Sequence, residues 1–254
     1  VIDPRTVPVR FSRLRAMARS PLHYLDACQD DRADTLSMRL GRGAHALVLG
    51  TPVVMFDGVR RGKEWDAFKA AHENVEILNG REFSEAAGLA DAIRRHDLAA
   101  SILLGADVVR EQRLEWRWLG LDCAGTPDAR TEHMVADLKT TVCSEPVKFI
   151  RDATRAGYHA QLAWYALGLE QLGMPRVDDL YVVAVENRRP YAVTVLRLSD
   201  EAREAGERLC RAWMERLIGC VENNYWPAYA EQLVPFDVEA SEFSLIIDGE
   251  EIQP

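Results

Sequence analysis

The spacing of apolar residues changes near Val108, and the change divides the chain by type of element. Residues 1–105 read as mainly helical. A short helix runs from Arg13 to Ala18 behind Ser12, another from Ser20-Pro21 to Cys28, and others over Leu36–Leu49, Lys63–Asn74 and Ser84–His96. Serine at an N-cap and proline in the first turn are start signals. Val53–Phe56 is a short strand in this part, and Gly41 and Gly43 predict close approach of a neighbouring backbone to the third helix. From Val108 the period is two. Leu114, Trp116 and Trp118 fall on one face, with Glu111, Arg113, Glu115 and Arg117 on the other, so the apolar face packs inward and the polar face looks toward a cleft. Strands over Leu121–Asp128 and Met134–Thr140 flank a polar turn at Ala129–His133. Helices follow over Glu145–Ala156 and Tyr158–Leu172, then an antiparallel pair, Asp179–Glu186 with Tyr191–Leu198, and a long amphipathic helix from Asp200 to Asn223. The pattern predicts one α/β domain over 1–254: a helical N-terminal part, a core over 106–225 with a mixed sheet flanked by helices, and a tail over 226–254. Beginning at Trp226, that tail folds back on the body or onto a neighbouring subunit.

The hairpin concentrates the chemistry. Residues two apart in a strand share a face, so Asp137 and Lys139 stand together, their Cβ atoms roughly 6–7 Å apart. The returning strand carries Asp128 to the same edge. Two carboxylates and one ammonium then border a volume suited to a hydrated cation and an attacking water. Carboxylate oxygens bind Mg²⁺, which polarises a phosphoryl oxygen, and lysine stabilises the charge that grows there. The Leu138 carbonyl is a further oxygen between the two side chains. Asp-x-Lys alone is common, and the bland reading is a hairpin of solvated acids and a lysine. Gln161 and Tyr165, at i and i+4, share one face of their helix. His45 sits inside an apolar helical segment, where a lone histidine is more often a satisfied core residue than a ligand.

Composition narrows the picture. A chain of 254 residues with 48% hydrophobic and 28% charged content can bury a core as a soluble protein. No apolar run approaches the ~20 residues of a membrane span. Net charge is −9, which argues against a protein that coats nucleic acid broadly. Any basic surface has to be local, and Arg10, Arg13, Arg15 and Arg19 form the best cluster; Arg60, Arg61 and Lys63 read as a solvated face. The five cysteines, Cys28, Cys123, Cys143, Cys210 and Cys220, form no Cys-x-x-Cys pair and predict reduced thiols in the cytoplasm.

Pro127-Asp128, a short hairpin and Asp137-Leu138-Lys139 resemble the signature of the PD-(D/E)xK nuclease superfamily. Phe11–Leu14, Ser20–Leu25, Gly41–Leu49, Gly157–Gln161 through Tyr165, and Trp226–Tyr229 resemble, in order, motifs of its RecE-like phage-type exonucleases, relatives of lambda exonuclease and the RecB nuclease domain. The resemblance implies a restriction-endonuclease-like core and metal-dependent degradation of linear double-stranded DNA from its ends, 5′ to 3′, feeding recombination. It implies Mg²⁺ or Mn²⁺ on His45, Asp128, Asp137 and the Leu138 carbonyl. Glu111, which begins a Glu-x-x-x-x-Trp match ending at Trp116, is an auxiliary ligand, and Glu115 is the fallback. Gln161 and Tyr165 then lie over the site, Ser12 and Arg13 near a terminal 5′-phosphate, and Arg42 among the DNA contacts. A ring of three or four subunits and a single-strand annealing partner also follow from the resemblance. Cys210 and Cys220 lack the spacing of the cluster-bearing relatives, so no iron–sulfur cluster is expected. Two alternatives stand: a RecB-like or CRISPR-associated nuclease acting on single-stranded or flapped DNA, and a non-catalytic DNA-end-binding module.

Overall fold

Both faces of one eight-residue strand are covered, and everything else arranges itself around that fact. The computed structural model describes residues 6–29, 35–73, 75–230, 232–235, 245–247 and 250–252. In chain order come β1 (Val9–Arg10), α1 (Phe11–Leu14), a 3₁₀ turn over Arg15–Ala18, α2 (Pro21–Cys28), α3 (Leu36–Leu49), β2 (Val53–Met55), α4 (Gly62–Ala71) and β3 (Glu76–Leu78). Then follow α5 (Gly80–Arg95), α6 (Asp97–Leu104), β4 (Val109–Arg110), β5 (Leu114–Trp118), β6 (Leu121–Gly125), β7 (Ala129–Arg130) and β8 (Met134–Thr141). The remainder is α7 (Pro146–Ala156), α8 (Tyr158–Gln171), β9 (Asp179–Glu186), β10 (Val193–Arg197), α9 (Asp200–Asn223) and a hairpin of β11 (Leu245–Ile247) and β12 (Glu250–Ile252). The main sheet has the order β10-β9-β8-β7-β4, with β8 and β9 parallel and the other neighbours antiparallel. A second sheet has the order β1-β6-β5.

Alternation along β8 and β9 separates two cores. Val135, Val182 and Ala184 face α8 and α9, while Ala136, Leu138, Val183 and Val185 face α3, α5 and α6. Buried on both faces, the parallel pair is a nearly unbroken apolar run, as such strands must be. Asp137 and Lys139 interrupt that run on the α8 side. Helix α8 is buried almost all round, from Ala160 to Leu169. Its neighbours therefore approach closely. A Cβ on Gly168 would stand 2.9 Å from the Trp116 ring, and one on Gly206 of α9 would stand 2.6 Å from the His159 carbonyl oxygen. Arg203, 4% exposed, ties these elements together by donating to Glu170 and Glu207 at 2.9 Å and to the Val177 carbonyl at 2.6 Å.

Several sequence expectations need correction. The strand expected over Leu121–Asp128 ends at Gly125 as β6, paired with β5, and the turn expected over Ala129–His133 opens with a further strand, β7, paired with β8 in the other sheet. Helix α5 starts at Gly80, not Ser84, because Asn79 and Glu82 form a capping box at 2.8 and 2.9 Å. Helix α6 was not expected; its start is marked by His96, whose Nδ1 accepts the Ala99 N–H at 3.2 Å. Ser12 lies inside α1, with Arg10 at the N-cap position, so it caps nothing. Ser20 does cap α2. Helix α4 ends at Ala71, and the expected end at Asn74 lies outside the described residues. Gly41 and Gly43 are approached by the Thr140 and Leu78 side chains rather than by backbone. Glu111 stands outside β5, so it does not share the polar face of Glu115. The tail does turn back: the Leu22 N–H donates to the Pro227 carbonyl at 3.2 Å, and Trp226 stacks on Tyr24 at 6.2 Å. Among the described residues no helix is long and apolar enough to cross a membrane.

Two glycines of α9 test the packing. Gly206→Ala forces its methyl group against the His159 carbonyl and destabilises the protein by about 1–2 kcal/mol in urea unfolding. At Gly219 an added Cβ meets nothing within 4 Å, so Gly219→Ala gains up to about 1 kcal/mol of helix propensity.

Candidate metal and catalytic centre

The break between β6 and β7 creates the site. Ala129 pairs with Ala136, but Thr126-Pro127-Asp128 crosses to the other sheet, so the backbone of Leu138 loses its neighbour on that side. Proline has no N–H to offer a ladder. Asp128 supplies the substitute: its Oδ2 accepts the Leu138 N–H at 2.6 Å. In an extended strand the N–H and C=O of one residue point to the same side. The Leu138 carbonyl therefore points to the same side as Asp128.

Two more groups meet Asp128 from other elements. His45 stands on α3 beside the buried Ala44 and Val48, with Nδ1 3.5 Å from Asp128 Oδ2. Glu111, in the link between β4 and β5, holds a left-handed backbone at φ +50°, and its N–H donates to the Asp128 carbonyl at 3.2 Å. Such a φ is uncommon for a residue with a Cβ and signals strain held for a reason. Ligand atoms of His45, Glu111 and Asp128 all lie within 4.8 Å of one another. Asp137 is not one of the three. Its Oδ2 forms an ion pair with Lys139, and its Oδ1 accepts from Gln161 Nε2 at 3.0 Å. Glu115 is exposed and paired with Arg113.

The α8 side completes the arrangement. Gln161 Nε2 also contacts the Tyr165 hydroxyl at 2.8 Å, so the i, i+4 pair does share one face. Tyr165 reaches the site over Gly125, where a Cβ would come within 2.9 Å of its ring. The Lys139 ammonium lies 4.8 Å from the centroid of Tyr158, a residue whose neighbourhood was marked by Gly157-Tyr158 but whose part was not foreseen.

Burial and mutual charge set the proton affinities. Burial pushes Asp137 up to about 6, the neighbouring Lys139 and Asp128 charges largely opposing one another. Burial would raise Asp128 as well, but His45 with its hydrogen bond, the Lys139 charge and the Leu138 N–H together more than offset that and leave it low. For His45 burial acts downward and Asp128 upward, with a net rise. Lys139 follows the same logic, burial lowering it and the two aspartates raising it further. Glu111 is raised by burial and by Asp128.

Two cavities open on either side. One, of about 560 Å³, is lined by Arg42, His45, Glu76, Glu111 and Asp128 among others. The other, of about 410 Å³, is lined by Arg10, Ser12, Arg15, Arg113, Thr126, Lys139, Tyr158, Gln161 and Tyr165, with no carboxylate. Ser12 therefore lines the same cavity as these basic groups. Arg13 does not line that cavity and instead exerts its charge on Tyr24 and Cys28, while Arg15, two residues on, faces in. The signal for Arg15 was the basic cluster itself. Arg42 makes a two-pronged ion pair with Glu76, at 2.8 and 3.2 Å.

Comparison with known proteins bears on this arrangement. A crystal structure of a candidate exonuclease from Eubacterium rectale superposes with a TM-score of 0.66 at 12% identity, covering 91% of each chain. A phage related exonuclease from Haemophilus somnus 129PT gives 0.38 at 14% identity over 86% of this chain and 96% of that one. An alkaline exonuclease from Laribacter hongkongensis gives 0.32 at 13% over 71% and 89%. Only the first score is high enough to carry weight, and at that identity it speaks to the fold. No curated protein matches the chain. Residues 10–235 match the PDDEXK-like domain of unknown function, DUF3799. With the mixed sheet, the break before β7 and the Asp128–Asp137–Lys139 arrangement in place, the fold is the expected restriction-endonuclease-like core, and the chain belongs to this PDDEXK-like family.

Proposed function

We propose that this protein is a RecE-like, Mg²⁺- or Mn²⁺-dependent exodeoxyribonuclease that degrades linear double-stranded DNA from its ends, 5′ to 3′, and leaves single strands for recombination. The observation that carries the reading is the meeting of His45, Glu111 and Asp128 within 4.8 Å, against Lys139 and Asp137 on the next strand. The donors fit a hard cation, being two carboxylates and an imidazole with no thiolate. Asp137 Oδ2 is buried and, its ion pair apart, accepts no hydrogen bond, so another oxygen stands ready. A divalent cation on His45, Glu111 and Asp128, with Asp137 and the Leu138 carbonyl as further ligands, would polarise the phosphodiester and acidify water.

The chain's own groups do the rest. Lys139, held between Asp137 and Tyr158, stabilises charge growing on the phosphoryl oxygens. Gln161 spends its Nε2 on Asp137 and Tyr165, which leaves its amide oxygen to orient water. The cavity beside Lys139, basic and free of carboxylates, takes the terminal 5′-phosphate on Arg10, Ser12 and Arg15. With −9 overall, a ring of three or four subunits pooling such arginines around one channel, and an annealing protein receiving the product strand, complete the reading.

End-labelled linear duplex is degraded with Mg²⁺ or Mn²⁺ and left intact with EDTA; full activity after exhaustive chelation ends the proposal. Lys139→Ala lowers the rate by about 100-fold or more while Mn²⁺ still raises the melting temperature, because the charge and not the ligand set is lost. Ligation needs Asp137 ionised, and a carboxyl at about 6 is protonated below that pH. Ligation also needs His45 neutral, and its proton affinity is raised as well, so Mn²⁺ affinity falls by about tenfold or more between pH 7.5 and pH 5 in calorimetric titration. Equal affinity at pH 5 and 7.5 removes both His45 and Asp137 from the ligand set. Removing the 5′-phosphate slows digestion, and Arg15→Ala erases the difference whereas Arg13→Ala preserves it; the reverse pattern returns the phosphate to Arg13.

A further inference from the structure

We infer that the excursion from β2 through α4 to β3 builds a subsite for one unpaired nucleobase, stacked on Trp65 next to the metal group. The inference rests on the nuclease reading and names which part of the substrate this wall receives. A cavity of about 630 Å³, within the ~300–1,000 Å³ of ordinary ligand pockets, lies between α3 and α4. Arg42, Val75 and Glu76 line both it and the cavity of His45, Glu111 and Asp128, so the two spaces adjoin.

Charge decides what this space takes. Arg39, Arg42, Arg60 and Lys69 line it, but so do Asp66, Glu73 and Glu76. Arg42 is held by Glu76, while Arg39 and Arg60 are held by Glu82, which is 3% exposed. The cations are thus largely neutralised, and the space has little pull on a phosphate. In the cavity beside Lys139, where Lys139 and Arg113 are likewise paired with Asp137 and Glu115, Arg10 and Arg15 still face in along a lining without carboxylates. What the neutral space offers is an aromatic plane. Trp65 lines it and stays partly exposed, tilted against Phe56 at 5.2 Å with the Arg60 guanidinium 5.8 Å from its centroid. Phe68, 4.8 Å from Phe56 and 4.2 Å from His72, already fastens α4 to Phe56. The indole is therefore not needed as the sole anchor and is presented on the wall. Stacking of a base on such a ring is tolerant of sequence, as an enzyme that consumes any DNA requires. A side chain reaches the face of a base only where that base has left its stack, so the occupant is an unpaired one.

The experiment is a scan of abasic sites. Fluorescein-labelled single-stranded oligonucleotides carry one abasic position each, moved stepwise from the end, and binding is read by anisotropy with Ca²⁺ in place of Mg²⁺. In the wild type one position, or two adjacent ones, weakens binding by about 5- to 100-fold. Trp65→Ala abolishes that position-specific penalty, and Trp65→Phe retains most of it. A flat scan in the wild type overturns the subsite whether or not Trp65→Ala folds, and so does a penalty that survives in a folded Trp65→Ala or an absence of binding. A position-specific, Trp65-dependent penalty in a protein that fails to digest linear duplex keeps the subsite and sinks the exonuclease reading. Digestion with a flat scan does the reverse.

Discussion

The hydrogen bond from the Leu138 N–H to Asp128 holds the candidate centre together. A strand that leaves its neighbour exposes backbone groups that must find partners, and here a carboxylate takes the place of a ladder. The same oxygen lies 3.5 Å from His45, so one atom closes the sheet and begins the ligand group. Pro127 and the break before β7 are thus causes of the site, not interruptions beside it. Glu111 depends on the same residue, because the Asp128 carbonyl anchors its strained backbone.

Much of this was legible because it follows from side-chain period. The shared face of Asp137 and Lys139, the shared helix face of Gln161 and Tyr165, and the spans of α3, α9 and β9 need only 2.0 and 3.6 residue repeats and ordinary caps. The end of β6 at Gly125 and the start of β7 at Ala129, where a turn is expected, are not legible from alternation, which is blind to a chain changing sheets; Gly125-Thr126-Pro127 is the available warning. Nor does alternation reveal a left-handed residue, so Glu111 was read as lying in line with Glu115. Arg13 and Arg15 differ only in which way a short helix and its 3₁₀ continuation turn them. The start of α5 is written in plain capping chemistry, Asn79 and Glu82, and needs no tertiary information.

The charge of the whole molecule says little about its parts. A chain at −9 keeps one cavity lined by three arginines and a lysine without an acid, and another where arginines are matched by carboxylates. Net charge governs how the surface meets bulk polyanion, whereas on the proposed reading these local balances would sort phosphate from base.

Helix α8 is packed on nearly every side, while α4 buries no residue at all. The cleft consequently has one hard jaw and one soft jaw. Gln161 and Tyr165 ride on the hard one, where displacement means repacking Trp116, Trp164 and the α9 crossing. Trp65 rides on the soft one, which is anchored by a few ring contacts and is cheap to shift. If the protein acts on DNA ends as proposed, an irregular or mismatched end would be absorbed by one wall while the groups proposed to meet the phosphodiester hold their places.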